Sequence, residues 1–131
     1  MANDSPLEFV EQVEFVKWLE DNNLKFTSIP NNTYSTSWNQ KRKNHAEGLR
    51  PGFSDLVVLI PPEHSLDGSG YMLCIEMKRI KGSVQSLDQK KWESAINGLN
   101  VLNIQYYLCK GAAEAIKIVD HYLCKSSNYI F

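Results

Sequence analysis

The chain has 131 residues, 43% of them hydrophobic and 22% charged, a composition typical of a globular domain rather than a disordered or repetitive chain. Its length favours one domain, because two would each have an unusually small core. No apolar run approaches the roughly 18 residues of a membrane helix, and no signal peptide is evident. We therefore expect a cytoplasmic protein, away from membranes, whose three cysteines are reduced thiols.

Charge is distributed unevenly along the chain, although the net charge is only −1. Residues 1–40 carry two cations against six acids, whereas residues 41–91 carry nine cations against six acids. Such a cluster is often just a solvated face, but it is also typical of proteins that bind polyanions.

Helical and strand patterns alternate along the chain, with no repeat or linker. The first helix is predicted to begin at Ser5 as N-cap, with Pro6 at its first position, and to end near Asp21. Apolar periodicity and Gly or Pro breaks predict the other elements. These are a strand at 24–29, a polar loop at 31–52 with a helical turn around 38–47, strands at 55–60 and 71–79 paired as a hairpin, a helix at 86–97, a strand at 101–109 and a helix at 111–123. This order predicts one α/β domain with a mixed central sheet flanked by helices.

The strand at 71–79 has an unusual end, where Glu76 and Lys78 follow a run of apolar residues. Side chains two apart on a strand share a face, so an acid and a base leave the core together. They form either a salt bridge or part of a polar cleft. Asp55 begins the neighbouring strand, either as a strand cap or as part of the same cleft. If the two strands are antiparallel, Asp55 lies near Glu76, and the two carboxylates need a cation between them, for which oxygen ligands favour Mg²⁺ or Mn²⁺.

Two motifs resemble the catalytic signature of the PD-(D/E)xK nuclease superfamily, and most closely its VRR-NUC branch. They are the segment 51–55 (Pro-Gly-Phe-Ser-Asp) and the segment 76–78 (Glu-Met-Lys). The first helix, Ile29-Pro30-Asn31 and the segment 86–92 are similar to the same branch, so the likeness spans about residues 7–123. The resemblance implies a restriction-endonuclease-like core in the order α-β-β-β-α-β, here a single domain over residues 1–131.

The resemblance also implies roles for individual residues. Asp55 and Glu76 would bind the metal ion, with the carbonyl of Met77 a further ligand, and Lys78 would position the attacking water. A glutamate of the first helix would complete the site, either Glu8 or, one turn on, Glu11. Gln89 would point into the cleft from the second helix, unless it is simply an exposed polar residue.

The function implied is metal-dependent hydrolysis of DNA that leaves a 5′-phosphate. We expect selectivity for structure rather than sequence, with branched DNA such as a four-way junction as substrate and a homodimer matching its symmetry. Free-standing domains of this type resemble phage proteins, which implies a bacterial host cytoplasm. The candidate phosphate contacts are Lys41, Arg42, Lys43, Arg50, Arg79 and Lys81.

Two alternatives remain open from the sequence. The same fold could serve as a catalytically silent module that binds nucleic acid or protein, or the motifs could be coincidental. Separately, Tyr34 and Trp38 lie in the polar segment beside the cations 41–43, either as plain loop residues or as platforms that stack on unpaired bases.

Overall fold

The computed structural model describes residues 7–30 and 37–124. Four strands form one sheet in the order β1-β2-β3-β4, and four α-helices accompany it. The elements are α1 (Glu8–Asp21), β1 (Lys25–Ser28), α2 (Trp38–Ala46), β2 (Leu56–Ile60), β3 (Tyr71–Lys78), α3 (Leu87–Asn97), β4 (Ile104–Lys110) and α4 (Ala112–Tyr122), with a short 3₁₀ turn at Pro62–His64. The predicted α/β class and mixed sheet are confirmed, and none of the helices in these ranges is long and apolar enough to cross a membrane.

The sheet is mixed because its strands are joined in two ways. β1, β2 and β3 are antiparallel neighbours, while β3 and β4 run parallel and are connected through α3. The predicted hairpin of β2 and β3 is confirmed, with Leu56 opposite Ile75 and Ile60 opposite Tyr71. A parallel pair needs such a crossover, since a short turn can only reverse the chain.

The hydrophobic core lies between one face of the sheet and the helices α1 and α4. Its fully buried members include Phe15 and Leu19 of α1, Leu73 and Ile75 of β3, and Val119 of α4. α3 lies on the opposite face, where its Asn97 contacts β4. None of the α3 residues is buried; Leu87 at its start is 67% exposed, and Leu99, two residues after its end, is 59% exposed. The second face of the sheet is therefore only partly covered, which leaves room for a cleft.

Most predicted element ends shift by one residue, and three differences are larger. α1 begins at Glu8 after an extended Leu7, whereas the predicted N-cap Ser5 and Pro6 lie outside the described residues. The helical turn expected around 38–47 is a nine-residue helix, α2, capped by the Ser37 side chain. β4 begins at Ile104 rather than at residue 101, because Asn100 has φ 58° and a turn closed by the Ile104 N–H on the Val101 carbonyl follows it.

Candidate active site

Glu76 is a charged residue that β3 carries into the interior of the protein. Its side chain is 0% exposed. Its Oε1 accepts hydrogen bonds from the Tyr106 hydroxyl at 2.7 Å and from Gln85 Nε2 at 3.4 Å. Its Oε2 is buried without a hydrogen-bond partner, and Lys78 Nζ lies 3.8 Å from it. Burial raises the pKa of Glu76, and these bonds and Lys78 only partly oppose the increase. A buried carboxylate oxygen without a donor is costly unless a cation or solvent reaches it.

Asp55 lies directly before β2 and faces the end of β3. Leu56 pairs with Ile75, so continuing the antiparallel register places Asp55 opposite Glu76, as predicted. Its Oδ2 accepts a 2.6 Å hydrogen bond from the backbone N–H of Met77, which orients the carboxylate. Burial nevertheless raises the pKa of Asp55 to about 6, helped by the negative charge of Glu8. Clustered carboxylates whose pKa values are raised by burial are typical of a functional site.

The two glutamates of α1 have different surroundings. Glu8 is half-buried; burial and Glu76 raise its pKa, while Lys78 lowers it, so it lies within electrostatic range of the cleft. Glu11, one turn further along the helix, is buried against the start of α4, where its Oε1 accepts a 2.7 Å hydrogen bond from the backbone N–H of Ala112. Glu11 therefore caps α4. Of the two candidates, Glu8 is the one that faces the cleft.

The expectation that Gln89 points into the cleft is wrong. Its side-chain oxygen accepts a 2.8 Å hydrogen bond from the Ser86 N–H, and the Ser86 hydroxyl accepts one from the Gln89 N–H. This is a capping box, in which the third helical residue turns back to the N-cap. Gln85, just before the helix, contacts Glu76 instead and also donates to Glu93 at 3.0 Å. Gln85 lies in an irregular connector, and no periodic pattern in the sequence indicates where its side chain points.

Tyr106 is a site residue that the sequence analysis missed. It is 2% exposed, and its hydroxyl donates to Glu76. The side chain of Asn97 in α3 binds both polar backbone groups of Tyr106. Its Oδ1 accepts from the Tyr106 N–H at 2.9 Å, and its Nδ2 donates to the Tyr106 carbonyl at 3.2 Å. The available signal was weak: a tyrosine inside a buried strand needs a partner for its hydroxyl, but only the parallel pairing of β3 and β4 identifies that partner.

The predicted phosphate contacts fall into two groups. Arg79 and Lys81 directly follow the end of β3, at the edge of the sheet that holds Glu76. Lys41, Arg42 and Lys43 are exposed on α2, and Arg50 lies in the connector between α2 and β2. Arg50 directly precedes the segment 51–55, which packs on α3 through the edge-to-face rings of Phe53 and Trp92.

The oxygen atoms of the cleft residues determine whether a divalent cation fits there. In the ranges 7–30 and 37–124, no group of three or more His, Cys, Asp or Glu side chains is close enough together to hold a metal ion. Asp55 and the free Oε2 of Glu76 nevertheless supply the hard oxygen donors that Mg²⁺ and Mn²⁺ prefer, in an environment that raises carboxylate pKa values. Mg²⁺ keeps several waters and takes one or two protein carboxylates, so two such ligands fit it.

Comparisons with known proteins identify the fold and the family of this chain. A solved structure described as a VRR_NUC domain protein superposes with a TM-score of 0.69, covering 91% of this chain and 89% of the other, at 18% sequence identity. That identity shows a shared fold alone. No curated protein sequence matches significantly. The model of the VRR-NUC domain family matches residues 3–113, most of the chain. The chain therefore belongs to the VRR-NUC domain family and carries a nuclease-type domain.

Proposed function

We propose that residues 1–131 act as a single metal-dependent DNA endonuclease domain. The observation that carries the proposal is the buried Oε2 of Glu76, which has no hydrogen-bond donor and lies 3.8 Å from Lys78 Nζ. A nuclease needs an oxygen of this kind to bind a cation, with an ammonium group beside it to face the phosphate. Membership of a nuclease-type family supports the same interpretation.

Each residue of the cleft then has a distinct role. Asp55 and Glu76 would hold Mg²⁺ or Mn²⁺ with the Met77 carbonyl, and Glu8 would contribute through its negative charge or a bound water. The metal, when bound, supplies Lewis-acid stabilisation and favours ionisation of a water. Lys78 would orient the attacking water and stabilise negative charge on the phosphate. Tyr106 and Gln85 both bond Oε1 of Glu76, which leaves Oε2 to face the metal.

The substrate we propose is branched DNA such as a four-way junction. A domain of this size has little surface beyond the catalytic cleft, and its cations (Lys41, Arg42, Lys43, Arg50, Arg79 and Lys81) contact the backbone rather than bases. A symmetric junction would be matched by a homodimer. The apolar side chains that α1 exposes, Phe9, Val10 and Val13, could form its interface. The cellular setting we propose is a bacterial cytoplasm, as for a phage-encoded enzyme.

The direct test is a cleavage assay with Mg²⁺ or Mn²⁺ on a labelled four-way junction, a flap, a linear duplex and a single strand. We expect wild type to cut the junction fastest and to leave 5′-phosphates. Glu76→Ala and Lys78→Ala should each lower the rate at least about 100-fold, as expected for loss of a metal ligand or of a charge-stabilising group. Lys117 is exposed on α4, and Lys117→Ala is the control that removes one cation outside the cleft.

The alternative is a catalytically silent module that binds DNA through the same fold. Such a module would bind the junction tightly and cut no substrate with either metal. Cutting that persists in both Glu76→Ala and Lys78→Ala would instead show that the catalytic residues lie elsewhere.

A further inference from the structure

α2 is a helix that the fold does not need for its core. None of its nine residues is buried, and Trp38 in its first turn is 76% exposed. A helix that is polar all round depends on local interactions. Here the Ser37 hydroxyl caps the Gln40 N–H, and Gln40 donates to Asn44 one turn later at 2.7 Å. The helix is thus maintained as a solvent-facing element that displays a large aromatic ring.

The exposed residues of α2 lie on two different faces of the helix. At 100° per residue, Trp38, Lys41 and Arg42 lie within one face, which we call the α2 face, whereas Lys43 points about 200° away from Lys41. In the described residues, neither Lys41 nor Arg42 forms an ion pair with a carboxylate, and Arg42 Nη2 is held by Asn39 Oδ1 at 2.6 Å. The α2 face therefore combines one exposed indole with two cations whose charge no acid neutralises.

A short anchored connector joins α2 to the candidate active site. Arg50 Nη1 donates to the carbonyls of His45 and Leu49, which holds the C-terminal end of the helix. The Pro51 carbonyl accepts a 2.9 Å hydrogen bond from Trp92 Nε1, four residues before Asp55. Because both ends of the connector are fixed, a nucleic acid on the α2 face would be held in a defined position relative to the cleft.

We infer that the α2 face binds unpaired nucleotides of the substrate, with Trp38 stacking on a base and Lys41 and Arg42 contacting the adjacent phosphates. The charge of the face is complementary to a polyanion, and an exposed indole matches the flat face of a base. In a continuous duplex the base faces are covered by stacking, so an indole gains little there. The inference rests on the proposed function. It adds one feature of the substrate, an unpaired base near the cut, which Trp38 would select.

The test measures equilibrium binding without divalent metal, so that no cutting occurs. Labelled substrates are a fully paired duplex, the same duplex with a three-nucleotide bulge, and a single strand. Trp38→Ala should weaken binding to the bulge and the single strand about tenfold and leave duplex binding within twofold. Trp38→Phe should retain most of the affinity. Leu102→Ala, which trims an 80% exposed apolar side chain in the turn before β4, is the matched control.

Lys41→Ala and Lys43→Ala separate the two sides of the helix. Lys41→Ala should weaken binding to the single strand. The slope of the binding constant against salt concentration, on logarithmic axes, should fall by about one, as expected for the loss of one phosphate contact. Lys43→Ala should leave the difference between bulged and paired DNA intact. Equal losses on duplex and bulge in Trp38→Ala, or no loss on either, would overturn the inference.

Cleavage by the same variants distinguishes this inference from the proposed function. If wild type cuts DNA with Mn²⁺ while Trp38→Ala binds and cuts bulged DNA normally, the inference fails and the proposed function stands. If wild type cuts nothing but Trp38→Ala still loses binding to unpaired bases, the α2 face is upheld and the nuclease proposal fails.

Discussion

Single atoms decide what the cleft can bind. The two oxygens of Glu76 are not equivalent, because Oε1 receives the Tyr106 and Gln85 hydrogen bonds and Oε2 receives none. Tyr106 is in turn held by Asn97, so a residue of α3 orients a carboxylate of β3 through β4. We regard Tyr106 as a positioning residue, since it acts on the proposed metal ligand and does not face the substrate itself.

Removing one hydroxyl tests that role. Tyr106→Phe keeps the buried ring but frees Oε1, so we expect a 5–20-fold weaker affinity for Mn²⁺, measured by titration calorimetry or by Mn²⁺ paramagnetic resonance. Saturating Mn²⁺ should restore most of the cleavage rate. The control is Tyr107→Phe on the same strand, whose hydroxyl bonds Tyr122 on the other face of the sheet. Equal metal affinity in the two variants would contradict the positioning role.

The raised pKa of Asp55 makes a prediction about the metal-free protein. Its pKa is 3.8 for an ordinary side chain and about 6 in the fold, so the folded state holds an extra proton between these values. Stability should therefore fall as pH rises from about 4 to 6. Asp55→Asn should weaken this dependence, to which the raised pKa values of Glu8 and Glu76 also contribute, and should add about 1–2 kcal/mol to the free energy of unfolding at pH 7. This is below the roughly 3 kcal/mol that the shift represents, because Asn accepts a weaker bond from Met77.

Urea unfolding in EDTA between pH 4 and 8 measures the difference in unfolding free energy between wild type and Asp55→Asn. Mn²⁺ should raise the melting temperature of wild type and leave Asp55→Asn nearly unchanged, since ligands stabilise the state that binds them. The burial argument would be contradicted if the wild type were more stable than Asp55→Asn at pH 7.

At the scale of elements, the cleft depends on how closely the segment 51–55 approaches α3. Gly52 has φ 91°, and an added Cβ would lie 2.7 Å from the backbone carbonyl carbon of Asp88. Glycine is therefore required there both for its backbone angle and for the close contact. Gly111, with φ 91°, packs in the same way against Ile80 and Glu11 at the start of α4. Both turns hold helices against the strands that carry the site.

Alanine at Gly52 should destabilise the fold and disturb the site. Gly48 is the matched control, since it also has positive φ, 105°, but nothing within 4 Å of an added Cβ. Gly48→Ala should cost about 1 kcal/mol of backbone strain, and Gly52→Ala about 1–3 kcal/mol more, because the helix must move. Chemical denaturation measures both, and cleavage should fall only in Gly52→Ala. Equal stability losses would show that the contact with α3 is unimportant.

At the scale of the whole molecule, α1 covers the core with one side and exposes apolar residues on the other. Phe15 and Leu19 are fully buried, while Phe9 and Val13 are 67% and 49% exposed. A helix that is apolar on both sides is typical of one that packs against two neighbours. The homodimer in our proposal would bury this second side.

Light scattering tests the dimer directly. We expect wild type to have twice the 15.0-kDa chain mass at micromolar concentration. Val13→Lys should shift it to the monomer and slow junction cutting, while Leu102→Lys, at an equally apolar exposed site, should remain dimeric. A monomeric wild type that still cuts junctions would exclude the dimer.

Much of this protein was determined by local sequence. The α/β class, the pairing of β2 with β3, and the meeting of Asp55 with Glu76 follow from apolar periodicity, Pro and Gly breaks and strand alternation, all of which act between near neighbours. The segment 31–36, with Tyr34, lies outside the described residues, so of Tyr34 and Trp38 only Trp38 is placed.

The tertiary structure decided the rest, because those contacts join residues far apart in the chain. The choice of Glu8 over Glu11 depends on where α4 begins, since its first N–H binds Glu11. Tyr106 reaches Glu76 only because β4 returns parallel to β3, and Gln89 turns away because its own helix needs a cap. Local patterns specify which residues are polar or buried, whereas side-chain partners are chosen by packing between elements whose relative positions no local pattern contains.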